Sequence, residues 1–111
     1  QTVLKDTVPL GDDTVVTAVE IVNAVSAYYK ISADDLYGKT RTSAIALARQ
    51  IAMYLCRTLT NLSLPKIGEI FGGKDHTTVL YAYNKIAGEM KERRELYNQV
   101  TEVINKIKVG R

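Results

Sequence analysis

The residues best equipped for chemistry sit in one stretch, GEIFGGKDHTT, from Gly68 to Thr78. Gly68, Gly73 and Lys74 satisfy the phosphate-loop pattern G-x-x-x-x-G-K, but Asp75 stands where Ser or Thr would hold the magnesium ion. A carboxylate there would repel the phosphates it was meant to help bind. A phosphate loop also follows a buried strand, whereas Ser63-Leu64-Pro65-Lys66-Ile67 reads as the start of a helix. Ser63 is a good N-cap, Pro65 is tolerated in a first turn, and Ile67, Ile70 and Phe71 continue at helical spacing. Gly68 then falls inside a short helix, where a missing side chain permits close approach of a neighbouring helix. Gly72-Gly73 supplies the positive φ that ends it sharply, and Asp75 caps the next helix. The pattern is helix, tight turn, helix.

The second of these helices has two unlike faces. Advancing about 100° per residue from His76, the residues Val79, Leu80, Tyr83, Ile86 and Met90 fall between roughly 280° and 40°, the expected core side. Thr77, Thr78, Tyr81, Asn84 and Lys85 fall between roughly 80° and 200° and face outward together. An ordinary solvated helix would show a Glu/Lys mixture there. This stripe instead carries short hydroxyls, an aromatic ring with a polar tip and a cation. Threonine can bond either kind of base edge and its methyl can touch a thymine methyl, Asp75 can accept from a cytosine amine, and His76 can bond a base or a phosphate. A recognition helix presents its N-terminal residues to base edges in this way. A protein-docking surface is the competing reading, and it would need larger apolar anchors than two threonines. An enzyme is the weakest, since His76 has neither nucleophile nor metal cluster nor paired carboxylates beside it.

The elements that position this site are helical throughout. Many Ala, Ile, Leu and Val recur at three- and four-residue spacings, with one Phe, two Pro and no Trp, and no segment alternates as a strand would. Pro9-Leu10-Gly11-Asp12 breaks the chain, so residues 1–12 are expected to be the end of a connecting helix and a hinge, with the domain occupying 13–111. VVTAVEIVNAVSAYY gives an amphipathic helix ending near Tyr29, and Ser32-Ala33-Asp34-Asp35 has the capping-box form for a short turn ending at Gly38. The helix from Thr42 to Thr60 carries Leu47, Ile51, Leu55 and Leu59 in one row. On the same angular count from Arg49, Gln50, Met53 and Arg57 lie within roughly 100° of it, so both arginines are expected to project away from the core.

Net charge is +3, unevenly spread. Residues 1–38 hold two basic and six acidic side chains, whereas residues 39–85 hold seven basic and two acidic. A basic middle suggests a polyanionic partner. Cys56, the single cysteine, lies in an apolar helical pattern and reads as an inert buried thiol in a reducing compartment. Neither a membrane-spanning run nor a signal peptide is expected.

These residues resemble a known family. LTNLSLPKIGEIFGGKDHTTVLYAYNKI, preceded by KTRTSAIALARQIAMYLCRTLT, is similar to the C-terminal DNA-binding domain of the bacterial replication initiator DnaA, with G-G-K-D-H-T-T-V-L its most specific part. The resemblance covers roughly residues 14 to 111 by pattern. It implies an all-α, compact domain with a helix-turn-helix of the Trp-repressor type. The implied partner is double-stranded DNA, at short asymmetric DnaA boxes, with the helix from Asp75 in the major groove and a basic loop in the minor groove. By position, Arg41 matches the minor-groove arginine. Arg49, Gln50 and Arg57 match phosphate or base-proximal contacts, Ser63 and Pro65 lie in a phosphate-contacting segment, and Asp75, His76, Thr77 and Thr78 match the base readers. Lys74 stands where members carry Arg or Lys, Tyr81 where some carry His, and Lys85 completes the outward stripe. No cofactor or metal is implied for this chain, since ATP would belong to an upstream AAA+ domain. Other initiator molecules would be met through that absent part, with regulatory proteins as further partners. The implied setting is the cytoplasm, at the nucleoid, and the implied role is targeting the initiator to the origin, without catalysis.

Overall fold

A computed structural model describes residues 16–38 and 42–109, which form six helices and no strand. The expected hinge over 1–12, the start of the domain at 13, and Lys39 and Arg41 lie outside the described residues. The helix α1 spans Ala18–Tyr29, α2 Ala33–Tyr37, α3 Ser43–Leu59, α4 Leu64–Ile70, α5 His76–Glu92 and α6 Arg94–Val109.

Four of the helices start at a side-chain cap. Thr17 and Glu20 form a reciprocal capping box, the Thr17 hydroxyl accepting from the Glu20 N–H at 3.2 Å and the Glu20 carboxylate from the Thr17 N–H at 3.0 Å. Ser32 accepts from the Asp35 N–H at 3.1 Å and starts α2, as its spacing predicts. Ser63 caps α4 by accepting from the Lys66 N–H at 3.2 Å, with Pro65 in the first turn.

The core joins Ile21, Val22 and Val25 of α1 to Ile51, Met53 and Leu55 of α3, Ile67 and Phe71 around α4, Val79 and Ile86 of α5, and Val100 and Val103 of α6. The central helix is α3, which touches α1, α2, α4 and α5. That placement corrects the expected orientation of its polar side. Arg49 is buried, 5 % exposed, and Met53 is 1 % exposed. A helix surrounded on several sides buries more than half its circumference, so Arg49, opposite the leucine row, faces α2 rather than water. Arg57, two turns further on, is exposed as expected.

On α5 the expected core positions Val79 and Ile86 are fully buried, together with Ala82. Tyr83 is half-buried and stacks on Tyr54 of α3, with ring centroids 5.3 Å apart, and Met90 is half-buried. Leu80 is corrected: it is 42 % exposed and shares the outward face. At roughly 40° from His76 it lies beyond the edge of the buried arc of α5, which is centred on Val79, Ala82 and Ile86. Cys56 is fully buried, and burial pushes its thiol up to about 12, as expected of an inert cysteine.

The last helix packs on α1 and α5. The hydroxyl of Tyr28 donates to Glu102, and that of Tyr29 donates to the Gln99 side-chain oxygen at 2.7 Å. No described helix is long and apolar enough to cross a membrane.

Candidate nucleic-acid interface

The turn between α4 and α5 is built around glycines. Gly72 and Gly73 have φ of 87° and 75°, the left-handed region the sequence demands of them. Gly68 performs a different task from the one expected. An ideal Cβ on it would lie 1.9 Å from the Lys74 carbonyl oxygen, and its own carbonyl accepts from the Lys74 N–H at 2.9 Å. What approaches Gly68 is the backbone of the turn, not a neighbouring helix. This folds Lys74 and Asp75 back across α4 and fixes where α5 begins.

Asp75 is the N-cap of α5. Its carboxylate accepts from the Thr78 N–H at 3.0 Å and from the Thr77 hydroxyl at 2.5 Å. Those two bonds, the Thr77 hydroxyl first, hold its carboxyl below the usual carboxylate range, so it is ionised at neutral pH. His76, Thr77, Thr78, Tyr81 and Asn84 are exposed along one side of α5, Tyr81 at 61 %. The stripe is therefore present as the helical count places it, with Leu80 added. Lys85 is half-buried and pairs with Glu89 at 3.1 Å. An exposed leucine beside this polar stripe had a signal in the sequence, its 40° offset, which the wide apolar band hid.

Around α5 the other predicted residues divide. Arg57 is exposed, its guanidinium 3.5 Å from the Leu62 carbonyl oxygen at the start of the α3–α4 connection. Ser63 and Pro65 are exposed beside it in sequence, and Gln50 is half-buried. Lys74, half-buried, leads into the cap. Arg49 does not join this exposed set. Its Nε donates to the Leu36 carbonyl at 2.9 Å and an Nη to the Asp35 carbonyl at 2.6 Å, both on α2, and burial lowers its pKa from the ordinary arginine value. Arg41 lies outside the described residues. No group of three or more His, Cys, Asp or Glu able to hold a metal ion occurs among the described residues.

A helix, a glycine turn over its back and a capped second helix with an exposed polar face make a helix-turn-helix. The sequence profile of the bacterial dnaA protein helix-turn-helix matches residues 18–86. The chain belongs to that family. Among curated relatives, the chromosomal replication initiator protein DnaA of Clavibacter sepedonicus is 62% identical over 108 residues, covering 97% of this chain and 23% of that protein. The DnaA proteins of Leifsonia xyli subsp. xyli and Cutibacterium acnes are 61% and 56% identical over the same length. The chain thus spans about a quarter of the relatives it matches, and it corresponds to their C-terminal domain. The matched span runs from the start of α1 into α5, so it contains α4, the glycine turn and α5 as far as Ile86.

Proposed function

We propose that this domain binds double-stranded DNA in a sequence-specific way, at DnaA boxes of a replication origin, and so targets an initiator to that origin. The observation that carries the reading is the exposed run from Asp75 to Thr78 at the N-terminal end of a helix-turn-helix second helix. In the major groove these side chains meet base edges: Asp75 accepts from a cytosine amine, the threonines bond either base type, and Leu80 offers an apolar surface to a thymine methyl. Arg57, Ser63, Lys74 and Lys85 would position the helix on phosphate and carry no sequence information. Arg41 is assigned to the minor groove on resemblance alone. The domain does no catalysis in this reading, ATP belongs to the longer protein, and the work is done at the nucleoid in the cytoplasm.

The test is a selection from a random duplex library with the 111-residue chain. An enriched short asymmetric motif, bound without nucleotide, is the expected result. Failure to enrich any motif, with binding equal on all duplexes, would overturn the proposal.

A further inference from the structure

We infer that Arg49 is a positioning residue for the base-reading end of α5, acting through the C-terminal end of α2 and not by touching phosphate; the inference rests on the DNA-binding reading above. α2 is five residues long, and its final carbonyls lack helical partners. Arg49 gives two of them a planar fork, Nε to Leu36 at 2.9 Å and an Nη to Asp35 at 2.6 Å. At 5 % exposure the side chain offers little surface to a DNA backbone.

The same end of α2 also meets the turn of the helix-turn-helix. An ideal Cβ on Gly72 would come within 2.9 Å of the Tyr37 carbonyl oxygen, and the Tyr37 ring lies 6.0 Å from that of Phe71. Phe71 is fully buried and is the C-cap of α4. Two residues beyond Gly72, Lys74 bonds back to Gly68, and Asp75 then starts α5. The end of α2 is therefore held by Arg49 through the Asp35 and Leu36 carbonyls and meets Gly72 at the Tyr37 carbonyl. Releasing it leaves buried carbonyls unsatisfied and lets the turn shift. Base reading tolerates only about 0.5 Å of displacement, whereas phosphate contacts by flexible side chains tolerate more.

Arg49→Lys and Arg49→Gln separate positioning from phosphate contact, read by titration of the selected duplex and a scrambled one across a salt series. Lysine binds phosphate as a point charge but has no planar fork for two carbonyls. Both variants should lose about tenfold or more on the selected duplex and less than about twofold on the scrambled one, with an unchanged salt slope. Gly72→Ala, which presses the turn off the Tyr37 carbonyl, should shift the ratio in the same direction with Arg49 intact, and it carries the test if an Arg49 variant does not fold. Arg57→Ala is the phosphate control, losing affinity on both duplexes with a slope shallower by about one. Arg49→Gln behaving like Arg57→Ala would overturn the inference, as would an unchanged ratio in folded Arg49→Lys and Gly72→Ala. If the parent shows no preference between the duplexes, the DNA-binding reading fails first, and the parent titration alone distinguishes that failure.

Discussion

Asp75 is the cap of α5 and, in the proposed function, also a base reader, and substitutions separate the two roles. As a cap it accepts from the Thr78 N–H, and asparagine accepts there nearly as well. As a base reader it must be an acceptor only, and asparagine brings a donor that prefers adenine. Asp75→Asn should therefore keep a thermal midpoint close to the parent while weakening the selected duplex roughly tenfold, with scrambled duplex spared. Asp75→Ala should lower both midpoint and specificity. Parent-like binding by Asp75→Asn in titration would leave Asp75 a cap only. The depressed carboxyl pKa also fixes a sign: its contribution to stability is present above the unfolded value and lost as pH falls through the folded one, so it plays no part in pH effects near neutrality. Asp75 was legible because capping depends on sequence neighbours alone. Arg49 was not, because its burial depends on α2 lying across a helix face that angular counting assigned to solvent. Leu80 misled for the opposite reason, an apolar residue just outside the contact arc.

At the scale of elements, the glycines of the turn do different work. Gly68→Ala drives a Cβ toward a backbone oxygen 1.9 Å away, so something must move. Gly73→Ala meets nothing within 4 Å and only strains a φ of 75°. In chemical denaturation Gly68→Ala should cost about 2–3 kcal/mol and Gly73→Ala about 1 kcal/mol, partly offset by a stiffer unfolded chain. Equal costs would contradict the packing described for Gly68. The junction of α1 with α6 carries a pH prediction. Burial raises the Tyr29 phenol from 10.0 to about 12, so the folded state favours its neutral form. That contribution is full below about pH 10 and is lost as pH rises from there through about 12. Tyr29→Phe should lose the bond to Gln99 yet show a flatter decline of stability with pH in this window than the parent, read from urea midpoints. The starts of α2, α4 and α5 were legible from Ser32, Ser63 and Asp75, whereas the Thr17 cap that starts α1 at Ala18 was not read. The α5–α6 boundary was not, because the chain turns at Arg93 in extended geometry, φ −123°, with neither glycine nor proline to mark it.

At the scale of the molecule, the basic residues that reach the surface among the described residues set a measurable slope. The basic middle of the chain supplies Arg57, Lys66, Lys74 and Lys85 to the described surface around α4 and α5, while Arg49 is withdrawn into the packing against α2. Two of these cations already have carboxylate neighbours. Lys66 lies 3.7 Å from Glu69 and Lys85 lies 3.1 Å from Glu89. The first pair is exposed and the second half-buried, and solvent-accessible pairs of this kind contribute at most about 1 kcal/mol, so a phosphate can compete for either lysine. With about four to six phosphates neutralised, log K on the selected duplex should fall linearly against log salt with a slope of roughly −4 to −5. The same slope is expected on scrambled duplex, since base contacts release few counterions, so the two lines should run parallel and be separated by the specificity alone. A protein-docking surface anchored by Leu80 and Tyr81 would behave otherwise, because burying apolar area is nearly indifferent to screening at these ionic strengths. A slope near zero on both duplexes would therefore count against DNA as the partner. Glu89→Gln refines the point, since releasing Lys85 from its ion pair should strengthen both lines equally if that lysine reaches phosphate, and leave them where they were if it does not.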